Sequence, residues 1–222
     1  MIISLVIAFY LGSIIVNDYA PTISSVTDLN IDYKILSASI YSYTEKQSNL
    51  YLELLLILNH NVKLYNTKII IGAHEFRCIG NHTQNYVCYI DMTLNITENN
   101  SRLVFEGVRN NLVTFNVRKA FTTLDKIYEK VTPSVHNMYC ISTNNRTDYF
   151  IIELGSKYYY AGRLGVKFVF NDSTSFVREF NVTIKPDTTT ILKVKSICSD
   201  DLREIILLFP FNYTKTYVVV KK

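Results

Sequence analysis

Leu50-Tyr-Leu-Glu-Leu-Leu-Leu-Ile-Leu58 decides how the rest of the chain is read. Leu50, Leu52, Leu54, Leu56 and Leu58 recur at every second residue, and Glu53 marks the opposite side. That period places alternate side chains on the two faces of a pleated strand; a helix would need apolar residues three and four apart. At nine residues the run is also far too short to cross a bilayer as a helix, which takes about 20.

The same period continues in both directions. Tyr86, Cys88, Ile90, Met92, Leu94 and Ile96 alternate with Tyr89, Asp91, Thr93 and Asn95. Phe176, Arg178, Phe180, Val182 and Ile184 alternate with Val177, Glu179, Asn181, Thr183 and Lys185, and Leu192, Val194, Ser196 and Cys198 with Lys193, Lys195 and Ile197. Further strands are read at Asp32–Tyr43, Lys63–Ile71, Leu103–Val108, Leu112–Arg118, Met138–Ser142, Tyr149–Leu154, Leu164–Phe170 and Tyr217–Val220. About a dozen short strands between turn clusters is the pattern of β-sandwiches. Helical spacing is confined to Phe121, Leu124, Tyr128 and Val131, which predicts one short helix over Ala120–Val131.

That helical pattern ends at Thr132-Pro133, and the charge balance changes there: residues 1–133 carry 11 basic and 11 acidic side chains, residues 134–222 carry 12 and 8. The expectation is an all-β chain, immunoglobulin-like in general architecture. It has two small sandwiches, 21–133 and 134–222, joined by the helix. A single continuous sandwich with the helix as a crossover is the alternative.

Residues Ile2–Val16 are uncharged and apolar, and fifteen such residues fit a signal-peptide core better than a membrane span. Residues 1–20 are therefore read as a cleaved leader, and no later run is long enough to span a bilayer. Four cysteines in a chain entering the secretory pathway imply two disulfides. Cys78 and Cys88 flank the turn around Gly80-Asn81, so a hairpin would set them opposite each other, leaving Cys140 to pair with Cys198. The second spacing invites comparison with an immunoglobulin inter-sheet bridge. However, the chain has no Trp, and Ser196 stands where a tyrosine corner would be.

Seven N-x-[ST] sequons begin at Asn81, Asn95, Asn99, Asn145, Asn171, Asn181 and Asn212. Chance placement of 20 Asn against 36 Ser and Thr in 222 residues gives about three. Each lies in a predicted turn or on the polar face of a strand, as a glycan requires. The expected location is thus secreted or on an extracellular surface.

Catalytic patterns are missing: there is no G-x-S-x-G, P-loop, H-E-x-x-H or C-x-x-C. His60, His74, His82 and His136 are scattered, and Asp200-Asp201 lacks the further oxygen donors that calcium needs. Seven glycines in 222 residues argue against phosphate-cradling or oxyanion loops. No metal, cofactor or enzymatic activity is expected. A net charge of +4 is too small to make nucleic acid an attractive partner. The leading expectation is a glycosylated module that binds another protein, in adhesion, reception or as a decoy. The alternative is a carrier of a small apolar ligand held between sheets. If alternation holds through Asp32–Tyr43, Leu36, Ala38 and Ile40 are buried. Tyr33, Ile35, Tyr41 and Tyr43 then turn outward beside Tyr51, as a partner-binding surface free of sequons before Asn81. Tyrosine suits such a role, offering large contact area at low rotamer cost.

Overall fold

A computed structural model describes residues 29–219, apart from 43–47, 61, 81–83, 95–99, 111–113, 143–147, 196, 197 and 199. The leader read over 1–20, Tyr43, His82 and the sequon asparagines Asn81, Asn95, Asn99 and Asn145 lie outside the described residues.

The chain is all-β with one short helix. Its strands are β1 (Ile31–Ser42), β2 (Ser48–Leu58), β3 (Tyr65–Ile71), β4 (His74–Gly80), β5 (Asn85–Leu94), β6 (Arg102–Asn110) and β7 (Thr114–Thr123), then helix α1 (Leu124–Val131). After it come β8 (Ser134–Ser142), β9 (Asp148–Gly155), β10 (Tyr159–Phe170), β11 (Ser175–Ile184), β12 (Thr189–Lys195), β13 (Leu202–Leu208) and β14 (Thr214–Val218).

The leucine strand is central. β2 pairs antiparallel with β1 on one edge, from Ile31 opposite Leu58 to Ser42 opposite Ser48, and with β5 on the other. Leu50, Leu52, Leu54, Leu56 and Leu58 are all buried, and burial of each such side chain contributes about 1.5–3 kcal/mol. The sheet continues from β5 through β4, β3 and β6 to β7. It curls until β7 faces β1, where the Thr122 hydroxyl meets the Tyr33 hydroxyl at 3.3 Å and the Phe121 ring stands edge-on to Tyr33 at 5.8 Å. The first seven strands form a curled half-barrel.

Helix α1 starts four residues later than the sequence predicts. Ala120, Thr122 and Thr123 continue β7, paired with Val104, Leu103 and Arg102 of β6, so sheet pairing overrides the helical spacing there. Leu124, Ile127, Tyr128 and Val131 are its buried face. Its last carbonyls are capped from two sides. The Thr132 N–H donates to the Tyr128 carbonyl at 2.9 Å. The Lys215 ammonium, from β14, donates to the Glu129 and Thr132 carbonyls at 3.0 and 2.9 Å. A cation at a helix C-terminus also complements the helix dipole.

In the second half, β8, β9 and β12 form a separate three-stranded sheet, while β11, β10, β13 and β14 extend the large one. The two sheets meet across an aromatic core, with Phe150 of β9 edge-on to Phe168 of β10 at 6.0 Å. Strand β10 has three partners. β11 runs along one edge; on the other, β1 pairs in parallel over Tyr159–Gly162 and β13 takes over from Gly165 to Phe170. The handover falls at Gly162, whose φ of +137° lies where side chains are rarely tolerated. A Cβ built there would sit 2.1 Å from the Ser42 carbonyl oxygen.

Both disulfides pair as the sequence predicts. Cys78 and Cys88 are direct cross-strand neighbours of β4 and β5, with Cα atoms 4.1 Å apart. Cys140 of β8 joins Cys198, beyond β12, with Cα atoms 5.7 Å apart. This link closes a long loop, which loop-closure entropy makes worth about 4 kcal/mol.

Two outcomes follow from these seams. Gly162→Ala should destabilise the protein by about 2 kcal/mol or more in chemical denaturation. Gly165→Ala, whose Cβ would meet only the Leu208 side chain at 3.1 Å, should cost clearly less; equal losses would remove the special role of Gly162. The second outcome concerns pH. Burial pulls the Lys215 ammonium from 10.5 down to about 8, against the opposing pull of Glu129. Between those values the unfolded chain binds more protons than the folded one, so stability should rise as pH climbs from 8 toward 10. Burial, and then Glu129 and Asp125, push the Tyr213 hydroxyl from 10 up to about 12. Above pH 10 the unfolded tyrosine ionises first and stability should fall. Denaturant midpoints measured across this range should show the rise in the parent and lose it in Lys215→Met.

Candidate functional site

The outward face of the sheet across β5, β2, β1 and β10 carries the largest concentration of exposed apolar side chains among the described residues. Tyr51, Ile57, Tyr89, Ile79 and Leu36 are all exposed, and Leu55, Val87 and Tyr41 are half-buried among them. Strand register lines them up in rows. Ile79, Val87 and Leu55 are successive cross-strand neighbours, ending at Lys34. Asp91, Tyr51, Ser39 and Tyr159 make a second row. Thr93, Asn49, Tyr41, Ala161 and Thr183 make a third.

Three tyrosines cluster where the second and third rows meet. The Tyr41 ring stands edge-on to Tyr51 at 5.7 Å and tilted against Tyr159 at 5.4 Å. Such pairs hold rings in place beyond the benefit of burial alone. Polar groups fix the neighbouring positions: the Ser37 hydroxyl donates to Glu53 at 3.1 Å, and the Thr93 hydroxyl to Asn49 at 3.3 Å. The face therefore mixes aromatic and aliphatic side chains with Asp32, Lys34, Glu53 and Asp91, which stand among them.

The outward set differs from the one read in the sequence. Tyr41 and Tyr51 lie on this face. Tyr33 and Ile35 do not; both pack against the core. The cause is a β-bulge, because the register of β1 against β2 slips between Ile35 and Ser37. One extra residue in the strand inverts the facing of everything before it. Leu36 and Ser37 are consecutively exposed, and Leu36, expected in the core, is 45% exposed. Tyr33 works as an internal latch. The Lys130 ammonium of α1 lies 4.3 Å from its ring centroid and donates to its hydroxyl at 2.9 Å. The signal for this inversion was present: Asp32 and Lys34 alternate with Ile31, Tyr33 and Ile35, so the charges mark the outer side before the bulge. Leu55, Ile57, Tyr89 and Ile79 were also legible, since β2 is apolar on both faces.

No family model matches the chain, and no curated protein matches it. Among the solved structures that show likeness, two illustrate how weak it is. One is a DUF4785 family protein from Legionella pneumophila, at 12% identity and TM-score 0.34, aligned over 85% of this chain and 55% of that one. This chain thus spans about half the length of that protein. The other is a chain of the chaperone–tip adhesin complex of CFA/I fimbriae, at 11% identity and TM-score 0.20, over 85% and 98% of the two chains.

Among the sequon asparagines that are described, Asn171, Asn181 and Asn212 are exposed. Asn181 lies on β11 opposite Arg163, on the same outward face as Tyr41 and about 12 Å from it by sheet spacing. Arg163 itself is ion-paired with Glu179. His74 is exposed and stacks on Phe76 at 6.4 Å, a rim position. Among the described residues no group of three or more His, Cys, Asp or Glu could hold a metal ion. No described helix is long and apolar enough to cross a membrane.

The bulge makes a sharp prediction. Leu36→Ser should change stability by no more than about 0.5 kcal/mol, as for other surface positions. Deleting Leu36 should cost several times more, because it forces Ile31, Tyr33 and Ile35 outward or breaks the pairing with β2. Urea midpoints of the two variants compare them directly, and equal losses would mean that the bulge does not set the facing of β1.

Proposed function

We propose that this chain is a secreted or surface-held, N-glycosylated module that binds another protein through the outward face of β5, β2, β1 and β10. The observation that carries the reading is the contiguous row structure of that face. Ile79, Val87 and Leu55 form one apolar register row and Tyr41 packs on both Tyr51 and Tyr159, where single scattered apolar residues would need no explanation. Aromatic anchors surrounded by polar rim residues are the usual make-up of protein interfaces. The two disulfides support an oxidising compartment, where such bonds form and persist. The sequon excess supports glycosylation. We read the second half, with β8, β9 and β12 facing β11, β10, β13 and β14, as an immunoglobulin-like sandwich, and the first half as a second unit joined to it through the β1–β10 pairing.

A glycan can test the face directly. Asp91 is exposed beside Tyr51, and the following residues are Met92 and Thr93. Asp91→Asn therefore creates a sequon in the middle of the surface, whereas Asp91→Gln changes the charge without one. Both variants and the parent are expressed in a secretory eukaryotic host and screened against a cell-surface protein library. The glycosylated Asp91→Asn protein should fold, be secreted and lose the parent's partner by at least tenfold in affinity. Asp91→Gln should keep it. Undiminished binding by the glycosylated variant would exclude this face as the interface.

A further inference from the structure

A second feature lies away from that face, where the two halves of the chain meet. A cleft of about 420 Å³ opens between α1 and the turn that joins β13 to β14, within the range of small-ligand sites. Asp125, Lys126 and Glu129 of α1 line one side, Asn212, Tyr213 and Thr214 of the turn line the other, and Asn100 also lines it. Those last three residues are a complete sequon, Asn-Tyr-Thr. An acceptor asparagine and a cleft thus coincide.

The turn is well held. The Asn212 N–H donates to the Phe209 carbonyl and the Phe209 N–H to the Tyr213 carbonyl, each at 3.0 Å. Asn212 adopts φ +62°, a left-handed conformation that asparagine tolerates. The Tyr213 ring is fixed by Tyr128 at 5.6 Å, Phe209 at 5.9 Å and Phe211 at 6.4 Å. One wall of the cleft therefore carries a single preset aromatic ring, that of Tyr213. The opposite wall offers carboxylates that accept hydrogen bonds and an ammonium that donates them. A hexosamine presents the complementary groups: hydroxyls and an acetamide N–H that donate, ring and carbonyl oxygens that accept, and an apolar C–H face. Burial already raises the Asp125 carboxyl and the Tyr213 hydroxyl above their ordinary values, so this is a partly desolvated place where such bonds count for more.

We infer that Asn212 carries an N-glycan whose first N-acetylglucosamine lies in this cleft against Tyr213 and the carboxylates of α1, bracing the helix to the β13–β14 turn. The inference rests on the secretory reading above. Sequons are glycosylated on the extended chain, so the acceptor is modified before the cleft closes around it. Asn171 and Asn181 are exposed and do not line this cleft, so they serve as the comparison.

The test uses the full chain made in two ways: in a secretory eukaryotic host, with glycans trimmed by endoglycosidase H to one N-acetylglucosamine, and in a bacterial periplasm, which adds none. Parent, Asn212→Gln and Asn181→Gln are compared by glycopeptide mass mapping and by thermal unfolding. The expected result is occupancy at Asn212 and a loss of about 3 °C or more in Tm for Asn212→Gln from the eukaryotic host. Asn181→Gln should leave Tm unchanged, and the bacterial Asn212→Gln should fall below the bacterial parent only by the small cost of glutamine at φ +62°, clearly less than the loss in the glycosylated pair. A drop of equal size in bacterial Asn212→Gln would assign the effect to the asparagine itself and overturn the inference. So would a bare Asn212 beside occupied Asn171 or Asn181, or an occupied Asn212 whose removal leaves Tm in place; in both cases the secretory reading survives. Sequons bare throughout would instead defeat the secretory reading and the inference with it.

Discussion

Four parallel rungs, Ser39–Ser42 against Tyr159–Gly162, hold the two halves of this chain in one sheet. Parallel pairing over so few residues is weak by itself, and it joins segments more than a hundred residues apart in sequence. It persists because the surrounding contacts leave β10 nowhere else to go. The Tyr158 hydroxyl reaches the Ile35 carbonyl of β1 at 3.4 Å. Tyr128 of α1 packs on Phe211 at 4.6 Å, and Lys215 caps α1 from β14. The cost falls on Gly162, where backbone passes so close to Ser42 that a side chain has no room. Beyond that glycine β10 turns to β13, and the sheet that began as a half-barrel becomes one layer of a two-layer core.

The bulge in β1 is the second constraint, and it shapes the outer surface as well as the core. Before the bulge the inner face needs Ile31, Tyr33 and Ile35 to close the half-barrel against β7 and α1. After it, Ala38, Ile40 and Ser42 face the core. A strand of strict period two could not serve both packing sites from this sequence. The extra residue reconciles them, and as a consequence sets Leu36 and Ser37 side by side on the outside. The exposed leucine is thus a product of how the inner face is satisfied, and it adds to the surface that Tyr41, Tyr51 and Tyr159 build.

Local pattern carried the sequence reading far where local pattern decides structure. The strands of high contrast were legible: β2 from its leucines, β5 from its alternation with Asp91 and Thr93, β11 and β12 from their charges. So were both disulfides, because a hairpin around Gly80 leaves the cysteines little choice. Strand β4 (HEFRCIG) was half seen, through its cysteine, since its side chains are mostly exposed and charged. Strand β13 was hidden because Ile205–Leu208 is an unbroken apolar run, which periodicity cannot assign. The pairing of β1 with β10, and the barrel-like curl, depend on contacts distant in sequence, and no window of residues encodes them. The expected facing of the candidate residues breaks at one point, between Ile35 and Ser37. The charges at Asp32 and Lys34 mark the outer side before the bulge, but one period carried through the whole strand exchanges Tyr33 and Ile35 for Leu36.

An antiparallel sheet with one wet face normally shows a clean alternation, apolar inside and polar outside. β2 departs from that rule at Tyr51, Leu55 and Ile57, and β5 at Tyr89. These positions gain nothing from the core, which the facing leucines already fill. Folding alone would accept Thr, Lys or Glu there, and solubility would favour them. The neighbouring strands show that this chain uses such residues freely on outer faces, as with Lys68, Glu75, Arg118 and Glu106, which form an ion-paired cluster across β3, β4, β6 and β7. Within one continuous sheet, then, part of the outer surface is charged and part is apolar and aromatic, and the boundary between them falls at β4. The core is common to both parts, so packing does not explain the difference, and that unexplained half of the sheet is the ground on which partner contact is proposed.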